Sequence, residues 1–210
     1  MNDDMLRHWQ GMALPELIIV LGLGSGATLA LTSLVAGSVS LNQHLLNNAR
    51  LTEELGNVFA LIQSDLQRAG YDGNTQQTLQ PGTSGSVFSH HLSFGAYPSE
   101  PANTCVTFRY DVNSNGVLDT QFPNEQFGYR LQNKTVEVRK AGASCHSKGW
   151  EDISDRDLVI VTELSFKPST LNQNGVPVTR VAIRLSGYLK ANPGLSQTFS
   201  KTVLVKNHVG

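Results

Sequence analysis

The 210-residue sequence predicts an α+β protein, a long N-terminal helix whose first half spans a membrane and whose second half packs on an antiparallel β-sheet head. Three observations predict it. A helical pattern runs from about residue 12 to about residue 70; strand-like runs separated by turn residues dominate after residue 105; and the later part of the helix carries an apolar stripe that complements the single apolar face of those strands. With 40% hydrophobic and 16% charged residues and a formal charge of −1, the composition is that of a folded chain. It has no Lys/Arg block, so it lacks the cation density of sequence-independent nucleic-acid binding, and no direct nucleic-acid partner is expected.

The helix begins in an apolar segment. Residues 17–49 contain no Asp, Glu, Lys or Arg, and the run from Leu17 to Val39 is broken only by Gly, Ser and Thr. At ~1.5 Å per residue it crosses a ~30 Å hydrocarbon core. A general secretory signal would have a basic leader and a shorter apolar run of about 7 to 15 residues. Here the leader MNDDMLRHWQG sets Asp3 and Asp4 against Arg7. Glu16 stands at the edge of the apolar run. A carboxylate held at depth without a cation costs about 2.5 to 3.5 kcal/mol, so Glu16 is expected to have a partner.

Leu51, Leu55, Val58, Ile62, Leu66 and Ala69 continue the helix as one stripe, with Arg50, Glu53, Glu54, Gln63, Gln67 and Arg68 on the other face. Gly70 after Arg68-Ala69 predicts the helix end. Residues 72–104 are rich in Gly, Ser, Thr, Gln and Pro and read as loops with a short strand over Val87–Phe94. The adjacent His90 and His91 would point to opposite faces of that strand, which does not suit one metal ion. Strands are then expected at Val106–Tyr110, Phe127–Leu131, Thr135–Arg139, Leu158–Phe166, Val178–Leu189 and Phe199–Lys206. Turns are expected at Gln132-Asn133-Lys134 and Asn172-Gln173-Asn174-Gly175.

Cys105 and Cys145 bracket part of this region, and an even pair in a domain beyond a membrane reads as a disulfide. Two free thiols are the alternative; redox chemistry would want a C-x-x-C. Between the cysteines lies Asp111-Val112-Asn113-Ser114-Asn115-Gly116-Val117-Leu118-Asp119. Oxygen side chains at alternate positions around a glycine resemble a calcium loop, with Asp111, Asn113, Asn115, the Val117 carbonyl and Asp119 as ligands. The twelfth position is Phe122 rather than Glu, and Glu125 could serve only if Gln121-Phe122-Pro123 loops out. The competing reading is an Asx-turn loop between two strands. No cofactor is required, and Ca²⁺ is the one the pattern allows. No G-x-S-x-G, H-E-x-x-H or P-loop occurs, and the glycines at 22, 24 and 26 lie inside the apolar helix, so no enzyme activity is expected.

Gly11-Met12-Ala13-Leu14-Pro15-Glu16-Leu17 before an apolar helix resembles the processing signal of the type IV pilins and the pseudopilins of type II secretion. The resemblance implies a leader over residues 1–11, cleavage after Gly11 by prepilin peptidase, and N-methylation of Met12. It further implies a transmembrane and filament-core helix over 12–40, its amphipathic continuation over 41–70, and a periplasmic head over 71–210. Glu16 would meet the new N-terminal ammonium of a neighbouring pilin. Met12 stands where the family usually has Phe, and Pro15 is tolerable because the first amides of a helix are unbonded in any case.

Within the superfamily, the head is similar to the minor pilins of the prepilin-peptidase-dependent protein B kind, related to the PilW and J-type pseudopilin group. The matching residues are Asp65-Leu66-Gln67-Arg68-Ala69-Gly70-Tyr71, Cys105-Val106, Tyr110-Asp111, Asn113-Ser114-Asn115-Gly116, Phe127-Gly128-Tyr129-Arg130-Leu131, Ala143-Ser144-Cys145 and Lys148-Gly149-Trp150. The implied function is a non-catalytic minor pilin in assembly or initiation of a type IV pilus. It would be held in the bacterial inner membrane with its head in the periplasm, reach the cell surface inside a pilus, and have prepilin peptidase, other major and minor pilins and membrane lipid as partners. A minor pseudopilin of a type II secretion system is the first alternative. A membrane-anchored calcium-dependent binding module or adhesin is the second.

Overall fold

The computed structural model describes residues 14–78, 85–89, 91–173 and 175–205. The chain divides into two units, an N-terminal arm through Leu46 and a head from Asn47 onward. Helix α1 (Leu14–Arg68) contributes to both.

In the arm, the described residues are exposed along the whole of Leu14–Leu46. The helix is long and apolar enough there to cross a membrane. Five of its hydroxyls are satisfied within the helix. Ser25 donates to Gly22 O at 2.9 Å, Thr28 to Ser25 O at 2.9 Å, Thr32 to Leu29 O at 2.9 Å, Ser33 to Ala30 O at 2.8 Å and Ser38 to Leu34 O at 2.9 Å. In hydrocarbon no water would satisfy these groups, so back-bonding to the helix is what makes them tolerable.

In the head, every residue of the predicted stripe is buried: Leu51, Leu55, Val58, Ile62, Leu66 and Ala69. Phe59 and Asp65 are buried with them. The helix stops at Arg68, where Gly70 takes φ 79° and gives its N–H to Arg109 O at 2.8 Å. A second, one-turn helix α2 spans Thr75–Thr78.

The strands form two antiparallel sheets rather than the one expected. The first orders β1 (Ser93–Gly95), β2 (Cys105–Arg109), β3 (Gln126–Gln132), β4 (Thr135–Arg139) and β5 (Trp150–Asp152). The second orders β6 (Val159–Gln173), β7 (Val176–Leu189) and β8 (Asn192–Val205). Both sheets turn an apolar face to the helix stripe and share one core, with Val106, Phe108 and Tyr129 from the first and Leu164, Phe166, Val181, Ile183 and Leu185 from the second. Alternation in β7 puts Val181, Ile183 and Leu185 inward, as the period of two requires.

The expected strand at Val87–Phe94 is replaced by a turn over Val87–Ser89, and pairing starts only at Ser93. Ser86 is the cause. Its Oγ accepts from Phe88 N at 3.1 Å and its carbonyl accepts from Ser89 Oγ at 3.0 Å, which competes with an extended backbone. Phe88 is buried as an isolated anchor. His90 lies outside the described residues. The hairpin at Asn133-Lys134 is as expected, both residues at positive φ (50° and 64°), the geometry that matches strand twist. Strand β5 had no sequence signal of its own. Strand β6 ends and β8 begins well beyond the predicted runs, through polar residues such as Ser196 and Gln197 that hydrophobic alternation does not mark, while β7 starts two residues before its run and ends with it.

Candidate functional site

Gly11 and Met12 lie outside the described residues. Glu16 is in the first turn of α1, the acidic side chain of that turn. A carboxylate there is favoured by the partial positive charge of a helix N-terminus.

At the far end of the same helix, Asp65 is 5% exposed. Its Oδ1 accepts from Tyr110 Oη at 3.3 Å and its Oδ2 from Tyr129 Oη at 2.5 Å, while Arg68 closes a salt bridge to Oδ1. The Arg68 guanidinium also lies 4.7 Å from the Tyr110 ring centroid. Burial pushes both tyrosine hydroxyls above their usual range, and the neighbouring Asp65 charge adds to it. A carboxylate on the helix stripe therefore joins α1 to β3 and to the residue that follows β2.

The chain leaving the helix runs straight onto the Asp/Asn loop. Asp111 N donates to Tyr71 O at 2.9 Å. Asp111 is 2% exposed, and its carboxylate accepts from Gly73 N at 3.1 Å, Asn115 N at 3.2 Å and Gly116 N at 2.7 Å. Burial alone would raise its carboxyl, but the surrounding backbone N–H groups outweigh that and hold it below the usual carboxylate range. Glu125, fully buried, accepts from Val112 N at 2.8 Å through Oε1 and from Asp119 N at 2.8 Å through Oε2. Phe122 is 97% exposed, so the segment before Glu125 does loop out and lets that carboxylate return to the centre. Asp119 Oδ2 accepts from the amides of Asn113 and Asn115 at 2.8 and 3.1 Å. Asn113 Oδ1 accepts from Asn115 N at 3.1 Å and Asn115 Oδ1 from Val117 N at 2.7 Å.

The side-chain oxygens of Asp111, Asn113, Asn115, Asp119 and Glu125 thus accept from backbone N–H groups or side-chain amides of the same stretch of chain. Among the described residues no three of His, Cys, Asp or Glu are grouped to hold a metal. The arrangement fits the Asx-turn reading, with Glu125 as a brace across the loop.

Cys105 and Cys145 are joined, Cα to Cα 6.1 Å, across 40 positions. Arg130, 3% exposed, lies beside them. Sequence reasoning assigned no role to Asp65 or to Arg130. A charged residue on an otherwise apolar stripe was the one available sign of Asp65. For Arg130 the sign was a cation within the apolar-aromatic strand that β3 forms.

The family model for prepilin peptidase-dependent protein B matches residues 44–205. A prepilin peptidase-dependent protein B of Escherichia coli strain K12 is 26% identical over 201 residues, covering 92% of this chain and 95% of the relative. An uncharacterized protein of Haemophilus influenzae strain Rd is 25% identical, with 78% of this chain and 82% of the relative covered. No solved structure matches. The head that supplies the Asp65 junction, the closed Asp/Asn loop and the disulfide lies within the matched residues, and the chain belongs to the prepilin peptidase-dependent protein B family.

Proposed function

We propose that the chain is a non-catalytic minor pilin that takes part in assembly or initiation of a type IV pilus, cut by prepilin peptidase between Gly11 and Met12. The observation that carries this reading is the arm: an exposed helix, free of Asp, Glu, Lys and Arg over residues 17–49, with five of its hydroxyls bonded back to its own carbonyls and one acid, Glu16, at its start. Family membership supports it, since the name of the Escherichia coli relative states dependence on the peptidase.

In this account the arm rests in the inner membrane with the head in the periplasm. On assembly it exchanges lipid for the helices of other pilins, an exchange that costs little because both surroundings are apolar. Glu16 then lies beside the N-methylated Met12 ammonium of a neighbour, and this charge pair sets the axial register. The head selects neighbours. The test is recovery in filaments sheared from cells. The chain is expected in that fraction, and Glu16→Ala is expected to deplete it while leaving the membrane pool intact. Recovery with a secretion pseudopilus alone would make it a pseudopilin, and retention in the membrane under piliated conditions would make it an anchored module.

A further inference from the structure

The loop between β4 and β5 carries Cys145 and is held to the sheet in two ways. One is the covalent bond to Cys105. The other is Arg130 on β3, whose register partner on β2 is Cys105 itself. Arg130 Nη1 donates to Cys145 O at 2.8 Å and to Ser147 O at 2.9 Å. Its Nε donates to Glu137 Oε2 at 2.6 Å, and its Nη2 to Gln132 Oε1. The guanidinium lies 4.9 Å from the Tyr97 ring centroid and 4.6 Å from that of Trp150. Trp150 Nε1 in turn donates to Ser144 O at 3.0 Å.

A guanidinium is a rigid planar fork, so a guanidinium that meets two carbonyls of one loop while stacked between two rings leaves that loop one backbone position. Buried as it is, Arg130 would be left with unmet donors if the loop moved off, which couples loop to sheet without any covalent bond. Glu137 supplies the counter-charge that makes the burial tolerable.

We infer that Arg130 is a positioning residue for the Cys105–Cys145 bond: it seats the Cys145 loop beside Cys105 while both thiols are reduced, so that oxidation closes a ring whose ends are already together. The oxidant is a low-molecular-weight disulfide such as oxidised glutathione. One protein thiolate attacks it, forming a mixed disulfide and releasing one glutathione thiolate. The second protein thiolate attacks the protein sulfur of that mixed disulfide, forming the Cys105–Cys145 bond and releasing the second glutathione. The two protons lost by the cysteines end on the two glutathione thiols.

The experiment uses the full-length chain in detergent micelles, reduced and then exposed to oxidised glutathione, with alkylation and mass analysis timing the resolution of the mixed disulfide. Native wild type is expected to resolve at least about tenfold faster than the same chain unfolded in guanidinium, and Arg130→Met to lose most of that advantage, since hydrogen bonds to a charged group are of that strength. Arg130→Lys keeps the charge without the fork and is expected not to restore the rate. Should Arg130→Met fail to fold, the Cys105→Ser/Cys145→Ser chain decides by hydrogen exchange: the Ser147 amide, which donates to Ser144 O at 3.1 Å in the seated loop, is expected to stay protected with no disulfide present. Resolution no faster in the native chain, a wild-type rate in folded Arg130→Met, or exchange of the Ser147 amide at the unfolded rate in the double variant would each overturn the inference.

Discussion

Tyr129 donates its hydroxyl to Asp65 Oδ2 at 2.5 Å, fixing β3 to the last turns of α1 across 64 positions of sequence. The folded state keeps this phenol protonated, while the unfolded chain ionises it near pH 10. Burial and then Asp65 raise its folded value, so the stability it contributes is complete below about pH 10 and is lost as pH rises further. Unfolding measured by circular dichroism should show an alkaline limb of about 1.4 kcal/mol per pH unit from this residue. Tyr129→Phe should remove this residue's share of the limb, leaving that of Tyr110, and cost about 1 to 3 kcal/mol at neutral pH, because Asp65 loses a buried donor.

The Asp111 carboxylate has the opposite sign. Held below its usual range, it contributes stability above the unfolded value near 4 that is lost as pH falls through the folded one. Asp111→Ala strands the N–H groups of Gly73 and Gly116, while Asn115 N keeps Asn113 Oδ1, and should lower stability by about 1 to 3 kcal/mol in thermal unfolding. Millimolar Ca²⁺ should leave the melting temperature of the wild-type chain unchanged. A rise that Asp111→Ala abolishes would restore the calcium cage.

Gly73 and Gly116 permit the turn after the helix and the Asp/Asn loop to touch. A Cβ on Gly73 would sit 2.4 Å from Ser114 Cα, and one on Gly116, at φ 73°, would sit 2.5 Å from Asn74 Cβ. Either alanine substitution must push backbone or Cβ atoms apart, and each is expected to cost about 1 to 3 kcal/mol, read as a lower denaturation midpoint. Gly85, with open space around it, serves as the control and should be near neutral when changed to Ala.

Reduction of the disulfide should leave a folded but weaker head. Closing a ring across 40 positions constrains the unfolded chain by about 4 kcal/mol on the loop-entropy estimate. Cys145→Ser should therefore lower the unfolding free energy by most of that amount, read as a lower denaturation midpoint, while the far-ultraviolet spectrum of the native chain is kept.

The parts of this fold that repeat locally were legible. The stripe from Leu51 to Ala69, the alternation through Val181, Ile183 and Leu185, and the Asn133-Lys134 turn each follow from a period or a φ requirement within a few residues. What was not legible depends on distant partners. Asp65 reads as a break in an apolar stripe until Tyr110 and Tyr129 arrive from 45 and 64 positions away. Arg130 meets Ser147 and Trp150 only after the β4–β5 connection folds back. The division into two sheets is likewise a matter of which strands pair, and alternation within a strand carries no information on its neighbour. The Asp111 loop was legible as a pattern of oxygens, but the return of Glu125 to the backbone N–H groups of Val112 and Asp119 depends on the path of the intervening chain, which the pattern does not carry.

The mass of the mature N-terminal peptide, from chain purified out of piliated cells, tests the central claim most directly. The account predicts a peptide that begins at Met12 and carries one N-methyl group, with the preceding residues through Gly11 absent. A peptide that begins at Met1 would contradict it.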